Sequence, residues 1–274
     1  MASIPSVKGL LQGPVPALPY KKIVLFGDSQ FERSSNPALE FSFTSALSNA
    51  FARRADVLNR GVSGYNTEWL VDQFRRIVHE LTPVAADVAL VVVWIGTNDA
   101  CLADTPHHVP LDRYKANMVV YVEALLQVFP LAKLVLVSPG PISRQQLIDC
   151  STRPGQAGDR DLETYADALL GLPVAGERVQ LVDLYRPIVA AARATLSAGA
   201  DALDTAAGSP LDTALAAFYL DGLHFNGKGY AVLYEQVQRA LEAWPELGVP
   251  HTPLVEPWWG DRSEVAAFRQ SHPN

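Results

Sequence analysis

The run at residues 87–95, DVALVVVWI, is the feature that most restricts the fold of this chain. Its apolar residues follow one another without alternation, which is typical of a strand covered on both faces. Such strands occur mainly in parallel sheets, because the helices that connect parallel strands pack on both faces. The run therefore predicts an α/β protein.

Shorter apolar runs predict further strands, and amphipathic stretches between them predict helices. The other predicted strands are 21–26, 56–59, 133–138 and 178–183. The predicted helices are 40–55, 67–81, 113–128, 162–170, 186–196 and 229–244, with Thr67 as a helix cap. This alternation predicts a mostly parallel sheet with helices on both faces.

The 274 residues are enough for one large α/β domain, and no stretch is typical of a domain linker. We expect an N-terminal extension over residues 1–20, the domain over 21–245, and a Pro- and Trp-rich tail over 246–274. The Ala-rich segment 198–217 is interpreted as a loop or a marginal helix.

Composition excludes several classes of protein. A net charge of −7 argues against a protein that neutralises many phosphates, so we expect no nucleic-acid partner. No apolar run is long enough for a membrane span or a signal peptide, so we expect no membrane partner and a cytoplasmic protein. Two cysteines exclude a disulfide framework and a Cys-rich zinc site.

Polar segments follow three of the predicted strands. GDSQ at residues 27–30 follows the first strand, GVSGYN at 61–66 the second, and GTND at 96–99 the third. A fourth segment, DGLH at 221–224, precedes the last predicted helix. Ligands of open parallel sheets bind beyond the carboxyl ends of the strands, so these segments are the candidate site.

The residue types in these segments suit acyl transfer. A serine hydroxyl such as Ser29 needs a base to take its proton, and His224 has the chemistry of that base. Asp221, three residues earlier, is close enough to orient the imidazole. The main-chain N–H groups of Ser29 and Gly64 and the side-chain amide of Asn98 would form an oxyanion hole.

The order GDS, glycine block, GxND and DxxH resembles the SGNH (GDSL-type) hydrolase family over roughly residues 21–244. The longer blocks GVSGYNT, HHVPLDRYKAN and DGLHFNGKGY resemble its isoamyl-acetate-hydrolysing esterase branch. The resemblance implies a flavodoxin-like, three-layer α/β/α fold with a five-stranded sheet. It further implies a serine esterase with the triad Ser29, Asp221 and His224, a small ester as substrate, a homodimer, and no metal or organic cofactor.

One residue departs from the family pattern. An apolar residue usually follows GDS, and Gln30 stands there, so we expect altered packing or a contact with substrate. Tyr65 and Phe225 lie beside the motifs and are further candidates for substrate binding. Asp28 and Asp99 are interpreted as structural residues that accept hydrogen bonds from loop amides.

Other interpretations remain at this stage. The same chemistry would serve an acetylated carbohydrate, a thioester or a lysophospholipid, depending on the loops 101–112, 140–161 and 198–219. A non-catalytic binding protein that has kept the fold is a third hypothesis. The pair His107-His108 has no third ligand at a suitable spacing, so we interpret it as part of a loop and predict no metal site.

Overall fold

A parallel sheet forms the centre of the computed structural model, which describes residues 20–151, 160–174, 176–197 and 204–247. The strands are β1 (Lys21–Gly27), β2 (Ala55–Gly61), β3 (Val88–Trp94), β4 (Lys133–Val137) and β5 (Val179–Val182). Their order is β2-β1-β3-β4-β5, and every neighbouring pair is parallel. The predicted parallel sheet is confirmed.

The described residues form the following α-helices between and after the strands. They are α1 (Ser29–Arg33), α2 (Phe43–Ala50), α3 (Val71–Leu81), α4 (Leu111–Val128), α5 (Arg144–Cys150), α6 (Leu162–Leu170), α7 (Tyr185–Arg193), α8 (Pro210–Leu215) and α9 (Gly227–Leu241). Short 3-10 helices span Thr82–Asp87 and Ala216–Phe218.

Two apolar cores lie on opposite faces of the sheet. Along β3, Leu90 and Val92 belong to the core formed with α2, α7, α8 and α9. Val91 and Val93 belong to the core formed with α3, α4 and α6. Successive strand residues point to opposite faces, so an uninterrupted apolar run fills both cores. The result is the expected three-layer α/β/α arrangement.

Several helix boundaries differ from the sequence prediction. Thr67 does not cap a helix, because its main-chain and side-chain donors bond the carboxylate of Asp99, and α3 begins only at Val71. At the other end of the domain, α9 begins at Gly227, because the side chain of Asn226 caps it. A side-chain cap therefore fixes the start of α9, whereas α3 starts without one.

Two helices occur in segments that were treated as loops, although the Ala-rich segment 198–217 was interpreted as a loop or a marginal helix. The segment 140–161 contains α5, and the segment 198–219 contains α8. The N-terminus of α8 has a recognisable signal, since Ser209 accepts a hydrogen bond from the N–H of Asp212 across 3.1 Å and Pro210 follows at the first helical position. This cap lies within the Ala-rich segment, and it decides for the helix that was one of the two interpretations of that segment.

Apart from residues 20, 246 and 247, the predicted N-terminal extension and C-terminal tail lie outside the described residues.

Among the helices that the structure describes, none has the length and hydropathy that a bilayer crossing requires.

The register of the sheet brings the polar segments to one edge. Gly27, the last residue of β1, pairs with Gly61 at the end of β2 and with Trp94 at the end of β3. Because the strands are parallel and end level with one another, the segments that follow them start side by side.

Candidate active site

Ser29 is the first residue of α1, two residues beyond the end of β1. The carboxylate of Asp28 accepts a hydrogen bond from the main-chain N–H of Gln30 across 2.9 Å and caps this short helix. Ser29 itself is only 5% exposed. The cap and the strand therefore hold the hydroxyl in a nearly enclosed position at the carboxyl edge of the sheet.

Gly61 allows the end of β2 to lie directly against α1. A Cβ atom at this position would be 2.3 Å from the main-chain nitrogen of Glu32 and 2.7 Å from the carbonyl oxygen of Asp28. Real Cβ atoms do not approach backbone that closely, so only glycine fits. This close packing fixes α1 against the loop that carries Gly64.

The imidazole of His224 lies between Ser29 and Asp221. Its Nε2 atom is 3.0 Å from Ser29 Oγ, and its Nδ1 atom is 2.8 Å from Asp221 Oδ2. Both distances are within hydrogen-bond range. Serine and histidine are 195 residues apart in the chain, so the fold alone brings them into contact. The three side chains form one continuous hydrogen-bonded row.

Asp221 holds the loop as well as the imidazole. Its Oδ1 atom accepts hydrogen bonds from the main-chain N–H groups of Leu223, across 3.1 Å, and His224, across 2.8 Å. Burial raises the pKa of Asp221, but hydrogen bonds from the side chain and main chain of His224 outweigh burial. The net result is a pKa lowered from 3.8 to about 2. The carboxylate is therefore ionised at neutral pH and accepts the Nδ1–H of the imidazole, which leaves Nε2 free to accept from Ser29.

Gly64 and Asn98 lie on the loops that follow β2 and β3. Gly64 has a φ of +80°, and an added Cβ would meet nothing within 4 Å, so the backbone conformation and not the space favours glycine. Asn98 is 6% exposed, and its Nδ2 atom donates to the carbonyl oxygen of Tyr65 across 2.8 Å. The amide has two N–H groups, so this bond orients the side chain and leaves one donor for a ligand.

Two buried carboxylates lie beneath these loops. Asp28 and Asp99 are both 0% exposed, and burial raises the pKa of Asp28 to about 7 and that of Asp99 to about 6. Asp99 accepts a hydrogen bond from the N–H of Thr67 across 3.0 Å and so ties together the loops after β2 and β3. Within the described residues, Asp28 Oδ2 has no hydrogen-bond partner. The contacts of both carboxylates are those of loop-holding residues.

The three residues expected to contact substrate have different surroundings. Gln30 and Phe225 are 3% and 1% exposed, and the Phe225 ring stacks on Trp94 at 5.6 Å between centroids. Tyr65 is 37% exposed, and its ring meets that of Trp69 edge to face. Substrate contact by these side chains stays a prediction, and the contacts of Gln30 are with the protein.

Arg160 is a neighbour of the site that the sequence gave no reason to single out. It is 7% exposed, and its Nε atom donates to the carbonyl oxygen of Thr97 across 3.2 Å. The guanidinium therefore braces the loop that carries Asn98. An isolated arginine in a segment that was predicted as a loop carries no pattern, so only the fold reveals this contact.

The paired histidines take separate places. The ring of His107 packs on Trp69 at 5.1 Å, and His108 Nδ1 lies 2.6 Å from the carbonyl oxygen of Cys101. In the part of the chain that the structure describes, no group of three or more His, Cys, Asp or Glu side chains is placed to hold a metal ion.

Comparison with known families adds to this geometry. The model of the GDSL-like lipase/acylhydrolase family matches residues 25–232, which include every residue of the Ser29–His224–Asp221 row. The chain belongs to this family. As a GDSL-type protein it is a carboxylic ester hydrolase, in agreement with the enzyme class of its relatives.

Two curated relatives of this GDSL-type hydrolase cover most of its length. The isoamyl acetate-hydrolyzing esterase of Saccharomyces cerevisiae is 27% identical over 82% of this chain and 87% of its own. The isoamyl acetate-hydrolyzing esterase 1 homolog of Homo sapiens is 29% identical over 91% of both chains. These relatives agree with the esterase branch that the motifs resemble.

Solved structures share the fold of the GDSL-type hydrolase. A catalytic mutant of an acetylxylan esterase from Geobacillus stearothermophilus superposes with a TM-score of 0.56 at 19% identity, covering 81% of this chain and 94% of that one. Another acetyl xylan esterase gives a TM-score of 0.58 at 16% identity, covering 80% and 99%. At such identities the likeness supports the three-layer fold and no particular substrate.

Proposed function

We propose that this hydrolase is a serine esterase that cleaves small carboxylic esters, such as acetates of short alcohols, through an acyl-enzyme intermediate. One observation carries the proposal: His224 Nε2 lies 3.0 Å from Ser29 Oγ, and the other ring nitrogen, Nδ1, is hydrogen-bonded to the carboxylate of Asp221. A nucleophile, a base and a group that orients the base are the parts that acyl transfer to serine requires.

In the first half of the reaction, Ser29 Oγ attacks the carbonyl carbon of the ester, and His224 Nε2 takes the hydroxyl proton. The carbonyl oxygen becomes an oxyanion, which the main-chain N–H groups of Ser29 and Gly64 and the free N–H of Asn98 would bind. The C–O bond to the alcohol then breaks. His224 gives its proton to the departing oxygen, so alcohol leaves and the acyl group stays on Ser29.

In the second half, water replaces the alcohol. His224 takes a proton from the water, and the resulting hydroxide attacks the acyl carbon. The oxyanion forms again at the same donors. The bond to Ser29 Oγ breaks, the proton returns from His224 to Ser29, and the carboxylic acid leaves. Asp221 keeps the imidazole in the required tautomer and stabilises its positive charge in both halves.

The test compares wild type with Ser29→Ala on p-nitrophenyl acetate. The variant loses the nucleophile, so we expect kcat to fall by about 10⁴-fold or more. Ser48→Ala, the same change on the exposed face of α2, is the matched control and should retain wild-type activity. Equal rates for wild type and Ser29→Ala would overturn the proposal.

Covalent labelling separates an esterase from a binding protein that has kept the fold. A fluorophosphonate reacts with a serine only when a base activates it. We expect wild type to be labelled once, on Ser29, and Ser29→Ala to remain unlabelled. A folded wild-type protein that resists the probe would favour the binding protein.

The substrate class rests on the named activity of the yeast and human relatives. We therefore expect acetate and butyrate esters to be cleaved faster than palmitate. A panel that adds acetylated xylooligosaccharides, acyl thioesters and lysophospholipids tests the alternatives, which share the machinery and differ in the loops around it. Preference for any of these substrates, or for long acyl chains, would overturn the proposed substrate class and leave the proposed mechanism unchanged.

A cytoplasmic location and a homodimer are further proposals. Cell fractionation would test the location, and analytical ultracentrifugation would test the homodimer.

A further inference from the structure

Gln30 links the helix that carries Ser29 to the loop that carries His224. It follows Ser29 directly in α1, and its side chain reaches the loop around His224, more than 190 residues away in the chain. Gln30 Nε2 donates to the carbonyl oxygen of Leu223 across 2.8 Å. Gln30 Oε1 accepts from the N–H of Phe225 at a longer 3.5 Å. The side chain thus holds the main chain on both sides of the histidine.

The two contacts fix the orientation of the amide. Nε2 faces a carbonyl oxygen and Oε1 faces an N–H, so a flipped amide would oppose like groups at both ends. A single orientation satisfies both partners. The carboxamide therefore forms a fixed hydrogen-bonded link between α1 and the loop that precedes α9. This link, from Gln30 to Leu223 and Phe225, is called the strut below.

The main chain of Gln30 is also anchored. Its N–H donates to Asp28, and its carbonyl oxygen accepts from the hydroxyl of Tyr230 across 2.6 Å. With 3% of its surface exposed and both ends of its amide engaged, Gln30 has little capacity left for a substrate. Of the two alternatives that the sequence left open for Gln30, altered packing or a contact with substrate, these contacts favour packing.

We propose that Gln30 is a positioning residue that sets the distance between Ser29 and the imidazole of His224. The proposal rests on the proposed function, because the distance matters only if these two groups react. Proton transfer depends on donor–acceptor geometry to within fractions of an ångström, and a small displacement of the base lowers the rate.

The test replaces Gln30 by methionine, which keeps an unbranched side chain of similar length and removes both hydrogen bonds. We expect kcat on p-nitrophenyl acetate to fall by about tenfold, with KM within about twofold of wild type. The rate constant of fluorophosphonate labelling at Ser29 should fall in parallel. Gln145→Met is the matched control: its amide bonds the side chain of Asp149 on the exposed face of α5, and its kinetics should equal those of wild type.

Gln30→Asn keeps an amide but is one methylene too short to reach the loop. It should show the same loss of kcat as Gln30→Met, and it replaces that variant if methionine prevents folding. Thermal unfolding identifies the folded fraction, and kcat is calculated for that fraction only. A rise in KM with kcat retained would overturn the proposal in favour of a substrate contact, and wild-type kinetics in both folded variants would overturn it outright.

Hydrogen–deuterium exchange tests the strut without any reaction. Amides in the peptide 219–226 should exchange faster in Gln30→Met than in wild type, and at the wild-type rate in Gln145→Met. Unchanged exchange in Gln30→Met would overturn the proposal even if kcat falls in that variant. If Ser29→Ala hydrolyses the ester as fast as wild type while exchange still responds to Gln30, the proposed function fails and the strut remains.

Discussion

The side-chain amide of Asn98 donates a hydrogen bond to the main-chain carbonyl of Tyr65 across 2.8 Å. The two residues belong to different loops, which follow β3 and β2. The bond fixes the two loops relative to each other and fixes the orientation of the Asn98 side-chain amide. The second N–H of Asn98 is therefore oriented before any ligand arrives, which is the condition under which an oxyanion donor is most effective.

Asn98→Ala removes this donor. If the remaining N–H binds the oxyanion, kcat should fall by about 10²–10³-fold with little change in KM, because the charge develops only in the transition state. Steady-state kinetics on p-nitrophenyl acetate measure the effect. Asn49→Ala, at an exposed position of α2, is the control. A loss below about threefold would exclude Asn98 from the oxyanion hole.

Asp221→Asn tests the group that orients His224. An asparagine would preserve the shape of the loop but could offer its N–H to Nδ1 and so favour the wrong tautomer. We expect kcat to fall by about 10³–10⁴-fold while the variant remains folded. Kinetics together with circular dichroism check this. Activity near that of wild type would show that the imidazole keeps its tautomer without the carboxylate.

Gly222→Ala should disrupt the loop that carries His224. Gly222 has a φ of +83°, and an added Cβ would lie 2.3 Å from the main-chain nitrogen of Leu147. Strain and overlap together should lower the free energy of unfolding by at least about 2 kcal/mol, and activity should fall with it. Gly176→Ala is the control, since a Cβ there meets nothing within 4 Å and should change stability by less than about 0.5 kcal/mol. Urea unfolding of both variants measures the difference, and equal stabilities would contradict the prediction.

Asp28 should make stability depend on pH. Burial raises its pKa from 3.8 to about 7, so folding favours the protonated carboxyl. The stability contributed by that proton is complete below the unfolded pKa and is lost as pH rises through the folded value. Asp28→Asn stays neutral, so its free energy of unfolding should rise relative to wild type between pH of about 4 and about 8. Urea unfolding across this range checks the sign, and a difference that is independent of pH would contradict it.

Periodicity predicted the sheet well because buried strands have little freedom in composition. The run in β3 had to be apolar throughout, since both of its faces are covered. Helix α5 was missed because Ser143 gives it no side-chain cap and its first N–H groups, those of Arg144 and Gln145, bond the carboxylate of Asp212, which is 68 residues from Arg144 in the chain. Helix α8 is only six residues long, and its segment was left open between a loop and a marginal helix. The start of α3 was misplaced because Thr67 bonds Asp99, which is 32 residues away in the chain.

The sequence by itself determined the chemistry that is available: a serine, a histidine, an aspartate, an asparagine and a glycine follow strands or precede a helix in the order of one hydrolase family. Residue types and their order are properties of the chain, so they can be recognised without coordinates. Only the tertiary structure decided the geometry, including the 3.0 Å between Ser29 and His224 and the reach of Gln30 to Leu223. Those contacts join residues nearly 200 positions apart, and such distances depend on how every intervening strand and helix packs.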